Sequence, residues 1–247
     1  MINNIKKIIN FFDDDTLYYS ASLSFFTIFS LLPILALLIV VVSSMSVFDN
    51  YLTMFTFYLL DVLNPIHSED ITTTISTFLS NSNDLGSIGI FYLLFVFTLF
   101  FNNYEDIVNK IFQTKKRPIY KMFFIYLTFL FLLPMMFVLF VLTSSVIKDD
   151  ILLQLVTYLF MWGSFIYIVI ISTTAKLSYK ITALTSFITL ATLSLTKTLF
   201  TYYILYNTTY STIYGSFSVL LFFFLWIYIS WTIYLYGIKL TYILNKS

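Results

Sequence analysis

The side chains best placed for chemistry are a row of hydroxyls and one amine on a single stretch, Ile181–Leu205. Wound as a helix of about 3.6 residues per turn, it brings Thr182, Thr185, Ser186, Thr189, Thr192 and Thr196 within an arc of roughly 120°, with Lys197 on its border. Such a face can line a wet path or receive the polar part of a substrate. The plainer reading is that Ser and Thr bond to carbonyls of the preceding turn and let helices approach closely. Lys197 stands about 22 Å along the helix from Thr182. A cation inside a membrane costs about 3 kcal/mol or more unless it is paired, hydrated or snorkelled to the headgroups.

Two further constellations join it. Ser20, Ser24 and Thr27 share one face of the first apolar stretch, and Pro33 follows in its middle. Proline removes an intrahelical bond and kinks the chain, which either opens a polar pocket or only shapes the packing. At the end of the second stretch, Asn102, Glu105, Asp106 and Asn109 share a face. They read either as an acidic ring at the mouth of a cavity or, through the i,i+4 pair Asp106–Lys110, as a solvated ion pair. The substrate-path candidates are therefore Ser24, Thr27, Pro33, Asn102, Glu105, Asp106, Thr185, Ser186, Thr189, Thr196 and Lys197.

Signals for catalysis are close to absent. His67 is the only histidine, there is no cysteine, and five glycines form no phosphate loop. Asp13-Asp14-Asp15 could hold a hard cation, but an acidic run before a helix is ordinarily a solvated cap. The expectation is a chain with no catalytic residue, no metal site and no cofactor. It is not read as an enzyme.

The elements that must position these residues are six apolar stretches: Leu23–Ser43, Leu85–Tyr104, Met122–Leu142, Ile151–Ile171, Ile181–Leu205 and Phe217–Ile238. Each has about 20 residues or more, enough to cross a hydrocarbon core of roughly 30 Å as a helix. Lys197 is the one charge inside them. Without water, each backbone must satisfy its own hydrogen bonds, so each stretch should be helical. Six buried helices of a soluble protein would need charged outer faces that these lack.

Eleven of the thirteen Lys and Arg residues fall in every second gap between the stretches or at the termini beside them. Lys6 and Lys7 precede the first span, Lys110, Lys115, Lys116, Arg117 and Lys121 lie around the second loop, and Lys176 and Lys180 lie in the fourth. Lys239 and Lys246 close the chain, while the intervening gaps hold Lys148 among acids. Positive-inside counting then places both termini in the cytoplasm. Membrane lipids are the expected partners, Lys115-Lys116-Arg117 being a cytoplasmic flank and not a nucleic-acid patch. No signal of oligomeric state is visible.

The 247 residues are expected to form a single integral membrane domain, all-α, with six transmembrane helices. Residues 45–84 carry an amphipathic two-helix insert on the outer side. Phe48, Leu52, Phe55, Leu59 and Val62 make one apolar stripe, Asn64-Pro65 breaks it, and Ser68 caps a second helix with Ile71, Ile75 and Phe78. The N-terminus lacks the features of a cleavable signal, and Ile2, Ile5, Ile9 and Phe12 suggest a short surface helix. Ser230, Gly237 and Thr241 lie in line on the last stretch, a small-residue row suited to helix contact.

These motifs carry a family likeness. Ala21-Ser22-Leu23-Ser24-Phe25-Phe26-Thr27 with Ser30-Leu31-Leu32-Pro33, then Asn109-Lys110-Ile111-Phe112 and its basic run, then Ile213-Tyr214-Gly215-Ser216 and Leu225-Trp226-Ile227-Tyr228, resemble in order the YihY/virulence factor BrkB family. The resemblance implies a six-span bacterial inner-membrane protein with an outer insert. It also brings an old ribonuclease BN label, for which this sequence offers no metal cluster and no soluble domain, and links of some members to serum resistance and envelope-lipid export. Lys239 and Thr241 stand where that family commonly has Glu and Asn, and its proline near Lys176–Lys180 is missing. The functional expectation is a protein that transports or handles a lipid or other amphiphilic envelope component, the alternative being a non-transporting membrane scaffold for envelope assembly.

Overall fold

A computed structural model describes residues 15–43, 87–146, 150–206 and 217–246, together with Glu69, Thr72, Thr73, Ser76 and Thr77. Its regular elements are six long helices: α1 (Thr16–Ser43), α2 (Ser87–Ile111), α3 (Ile119–Val146), α4 (Asp150–Ser172), α5 (Tyr179–Tyr206) and α6 (Phe217–Lys246). They contain 23 to 30 residues, or about 35–45 Å of helix. No strand occurs among the described residues. The expected N-terminal surface helix, the Asn64-Pro65 break and the Tyr214-Gly215 motif lie outside them. Of the expected insert, only the five residues named above are described, and all five are helical.

Composition explains why helices form here. β-Branched and aromatic residues dominate, and neither type favours an isolated helix in water. A helix is nevertheless the local way for such a stretch to pair all its backbone groups away from water. Over their described residues, Gln154–Ser172, Tyr179–Ile204 and Phe217–Lys246 are long and apolar enough to cross a membrane. Phe25, Phe29, Phe91, Phe95, Leu155 and Leu195 are exposed on the outside of the bundle. A soluble protein rarely shows so continuous an apolar surface.

The helices pack in chain order, each against the next, and α6 closes the ring against α1. Contacts of α2 with α4 and α6 cross its interior. Leu23, Phe97, Val108, Met122, Tyr126 and Leu235 are completely buried between these helices. Short connections make α2, α3, α4 and α5 antiparallel neighbours. α1 runs antiparallel to α2, with Asn103 beside Ser22 and Lys110 beside Tyr19, so six helix ends meet at one end of the bundle. There the Lys110 ammonium lies 6.0 Å from the Tyr19 ring centroid, and the Ser178 amide donates to Asn245 Oδ1 at 2.7 Å. Lys110–Lys121, Lys176, Lys180 and Lys246 all belong to this basic end.

The α2–α3 turn has a defined cap. The Gln113 amide donates to the Lys110 carbonyl at 3.1 Å and the Thr114 amide to the Asn109 carbonyl at 2.9 Å, with Gln113 at φ 55°. That pattern is the Schellman cap, normally completed by glycine because the left-handed conformation crowds a Cβ. Here a glutamine takes it, and Pro118 starts the next helix with its carbonyl accepting from the Lys121 and Met122 amides.

Candidate functional site

Most hydroxyls of the α1 and α5 faces are committed first to their own helices, the buried Ser186 hydroxyl of α5 being without a hydrogen-bond partner. Ser24 donates to the Ser20 carbonyl at 2.6 Å and Thr27 to the Leu23 carbonyl at 2.7 Å. Thr185 donates to the Ile181 carbonyl at 3.0 Å and Thr189 to the Thr185 carbonyl at 2.8 Å. Beyond that they join helices. Thr27 Oγ1 accepts from Trp231 Nε1 at 2.7 Å, tying α6 to α1. The Thr185 and Thr241 hydroxyls meet at 2.7 Å, tying α5 to α6. Thr182, Thr185, Ser186 and Thr189 are buried, Thr192 is exposed, and Thr196 and Lys197 are half-buried. Only the half of the stripe nearest the basic end thus faces the bundle. Pro33 is buried within α1, which runs through it as one element.

The acidic face of α2 splits. Asp106 stays near the surface, paired with Lys110 at 2.8 Å and Lys116 at 3.5 Å. Asn102 is half-buried. Glu105 is almost fully buried, and it does not join Asp106 in an acidic ring. Its Oε1 accepts from the Arg117 amide at 3.0 Å, and its Oε2 lies 3.5 Å from Arg117 Nη1. Arg117 also donates from Nη1 to the Ile171 carbonyl at 2.7 Å and from Nη2 to the Thr173 carbonyl at 2.6 Å. Those carbonyls belong to the end of α4, where intrahelical donors have run out. Asn109 completes the joint. Its Nδ2 donates to the Ser172 carbonyl at 3.2 Å, and its Oδ1 accepts from Thr114 Oγ1 at 2.6 Å and the Thr174 amide at 3.1 Å.

Above this joint lies a cavity of about 330 Å³. From α2 it takes Phe100, Phe101 and Tyr104, and from α3 Tyr126. Across the ring, Phe165, Ile168 and Ile171 of α4, Leu193 of α5, and Ser230, Trp231 and Tyr234 of α6 also line it. Its floor has an ordered hydroxyl relay. Ser172 donates to the Ile168 carbonyl, so the Tyr104 hydroxyl, 2.6 Å from Ser172 Oγ, must donate to it. Tyr104 then accepts from Tyr234. The Tyr126 ring stacks on Phe101 at 4.3 Å between centroids, while its buried hydroxyl lacks a hydrogen-bond partner. Among the described residues the wall carries no charged side chain and none of the hydroxyls expected to line a path.

Several members of this site escape sequence reasoning. Tyr104, Tyr234 and Trp231 carry no signal in a chain that is 21% aromatic. Arg117 does carry one. It is the single arginine among twelve lysines, and a rigid planar fork that offers two separate nitrogens to two carbonyls is something lysine's single ammonium lacks. Among the described residues no three His, Cys, Asp or Glu side chains cluster as a metal site would require.

Comparison with known proteins gives the chain a kinship. The family described as Virulence factor BrkB matches residues 8–247. A UPF0761 membrane protein of Pseudoalteromonas atlantica is 25% identical, the match covering 98% of this chain and 85% of that protein. One from Aggregatibacter aphrophilus is 27% identical over 91% and 85% respectively. One from Haemophilus influenzae, strain PittEE, reaches 30% over 74% and 72%. No solved structure matches the chain.

Proposed function

The chain belongs to the virulence factor BrkB family, and on that premise we propose that it is a bacterial inner-membrane protein that transports or handles a lipid or other amphiphile. The cavity carries this reading. Its volume of about 330 Å³ sits at the lower end of the ~300–1,000 Å³ usual for ligand pockets, and its wall is almost wholly apolar. A polar metabolite would gain nothing there; a hydrocarbon chain would. In a bilayer, six helices of 23 to 30 residues are each long enough to span, and the basic end faces the cytoplasm with both termini.

Orientation has a direct test. Single cysteines replacing Lys116 and Ser68 are exposed in turn to a membrane-impermeant maleimide on intact spheroplasts. Labelling at residue 68 and none at residue 116 is expected, and the reverse pattern would overturn the orientation.

The function test fills the cavity. Ser230→Leu adds three carbons at the cavity wall on α6 and leaves the polar joint at the basic end untouched. Binding of a fluorescent single-chain fatty acid to purified protein in nanodiscs should weaken at least ten-fold while the melting temperature holds. Undiminished binding in a folded Ser230→Leu protein would remove the cavity from the function. It would leave the second reading, a membrane scaffold. That reading is favoured by the contact of α5 with α6, where the Thr185 and Thr241 hydroxyls meet and Gly237 leaves no room beside Thr189.

A further inference from the structure

The basic end divides its charges into two sets. Lys110 and Lys116 share Asp106, and Arg117 is held by Glu105 and two carbonyls. Lys115, Lys121, Lys176 and Lys180 are exposed, and their ammonium groups have no partner among the described residues. These four belong to two loops that are tied into one surface. Thr174 donates from Oγ1 to the Lys115 carbonyl at 3.0 Å and from its amide to Asn109 Oδ1 at 3.1 Å. Arg117 reaches across to the Thr173 carbonyl at 2.6 Å. Lys176 follows Thr174 by two residues, while Lys121 and Lys180 stand in the first turns of α3 and α5, which both pack on α4.

We propose that these four lysines form a docking surface for the phosphate headgroups of anionic phospholipids. Neither first turn holds an acid, so the helix dipole opposes a cation at Lys121 and at Lys180. Cations on linked loops also repel one another. An anion from outside the chain relieves both costs. The neighbouring residues say where that anion comes from. Tyr120 and Tyr179 are exposed beside Lys121 and Lys180, and one turn further Phe124 and Leu184 are exposed as well. Tyrosine next to lysine, followed at once by apolar exposed positions, marks the level of lipid headgroups. Negative charge at that level is lipid phosphate. Lysine suits the task, since an ammonium on a flexible stem can follow a mobile phosphate, whereas the one arginine is held in a fixed fork at the joint. The inference rests on the bundle spanning a bilayer and is independent of any ligand in the cavity.

The test is displacement of a tail-labelled fluorescent phosphatidylglycerol from the full chain in dodecyl maltoside micelles. Phosphatidylglycerol should displace it at concentrations at least about five-fold below phosphatidylcholine, which is what one lysine contributes near an anionic surface. Lys115→Gln, Lys121→Gln, Lys176→Gln and Lys180→Gln together should abolish that preference at an unchanged melting temperature, and arginine at the same four positions should retain it. Lys121→Gln with Lys180→Gln alone, which alters no residue of either loop, should lower it at least about two-fold. No preference in the parent, or an undiminished one in the glutamine variants, overturns the inference. Inorganic phosphate or polyglutamate displacing the probe as well as phosphatidylglycerol also overturns it, the surface then serving a soluble anion or an acidic protein. Ser230→Leu should leave the preference unchanged; its loss there would put the lipid in the cavity, which overturns this inference and not the proposed function.

Discussion

Replacing Arg117 by methionine is expected to destabilise the protein by about 3 kcal/mol or more, read as a fall in melting temperature in mild detergent. The magnitude is that of breaking one half of a buried ion pair, roughly 3–5 kcal/mol, taken at the lower end because the Arg117 side chain is 19% exposed. Most of the loss comes from what remains behind. Glu105 keeps a carboxylate that is 2% exposed and has lost its counter-charge. The Ile171 and Thr173 carbonyls lose their donors at the end of a helix that has none to spare. Lysine should not substitute, because a point charge on a flexible stem cannot reach two carbonyls and a carboxylate in one plane.

The companion change separates charge from geometry. Glu105→Gln keeps an oxygen for the Arg117 amide, removes the negative charge and turns the oxygen that faces the guanidinium into a second donor, so about 1.5–3 kcal/mol is the expected loss. In the double variant Glu105→Gln/Arg117→Met the uncompensated charge is gone, and its loss should be smaller than the sum of the two single losses by at least about 1 kcal/mol. Strict additivity, or a loss below about 1 kcal/mol for Arg117→Met, would show that this joint does not hold α2 and α4 together. The joint also reaches the cavity, since it forms the underside of its floor through Ser172, whose hydroxyl accepts from Tyr104.

Hydropathy makes the course of each helix legible in the sequence, and for two of them it also gives the ends. The apolar stretch Ile181–Leu205 reappears as α5 and Ile151–Ile171 as α4 within two residues at each end. The second apolar stretch ends at Tyr104, yet α2 continues for two turns to Ile111. A helix already formed adds polar residues readily and stops only at a cap, here the left-handed Gln113. Those two extra turns carry Glu105 and Asn109 into the joint. Periodicity placed Glu105 and Asp106 on one face, but it could not say that a loop twelve residues on would fold back and bury only the first. The α5 hydroxyls were legible as a stripe and not as a fate. Whether Thr189 faces a path or a neighbouring helix depends on where α6 lies, which no spacing within α5 encodes. The cavity was illegible for a different reason, since a void among aromatics is defined by which rings fail to meet.

The contact between α5 and α6 supplies the second large effect, and it turns on one hydrogen atom. A Cβ at Gly237 would fall inside the Thr189 hydroxyl, 2.8 Å from Thr189 Cγ2 and 3.0 Å from its Cβ. Thr189 cannot easily turn away, because it is β-branched and its hydroxyl is already donated to the Thr185 carbonyl. The helices would have to separate, which would pull apart the Thr185–Thr241 hydroxyl contact one turn along. Gly237→Ala should cost about 1–3 kcal/mol from overpacking, offset in part by the ~0.5–1 kcal/mol that alanine gains over glycine in a helix. Gly237→Leu has the same gain and far more to displace, so it should fall at or beyond the upper figure. Thr189→Ala removes the hydroxyl and Cγ2 together and leaves only the 3.0 Å contact. Combined with Gly237→Ala it should therefore restore most of the lost stability, a favourable coupling of about 1 kcal/mol or more in a double-mutant cycle. A Gly237→Ala protein that melts with the parent, or one that Thr189→Ala fails to rescue, would mean that α5 and α6 do not approach here as closely as described. The same separation would widen the cavity between Leu193 and Ser230, so amphiphile binding should weaken in Gly237→Ala and recover in the double variant alongside stability.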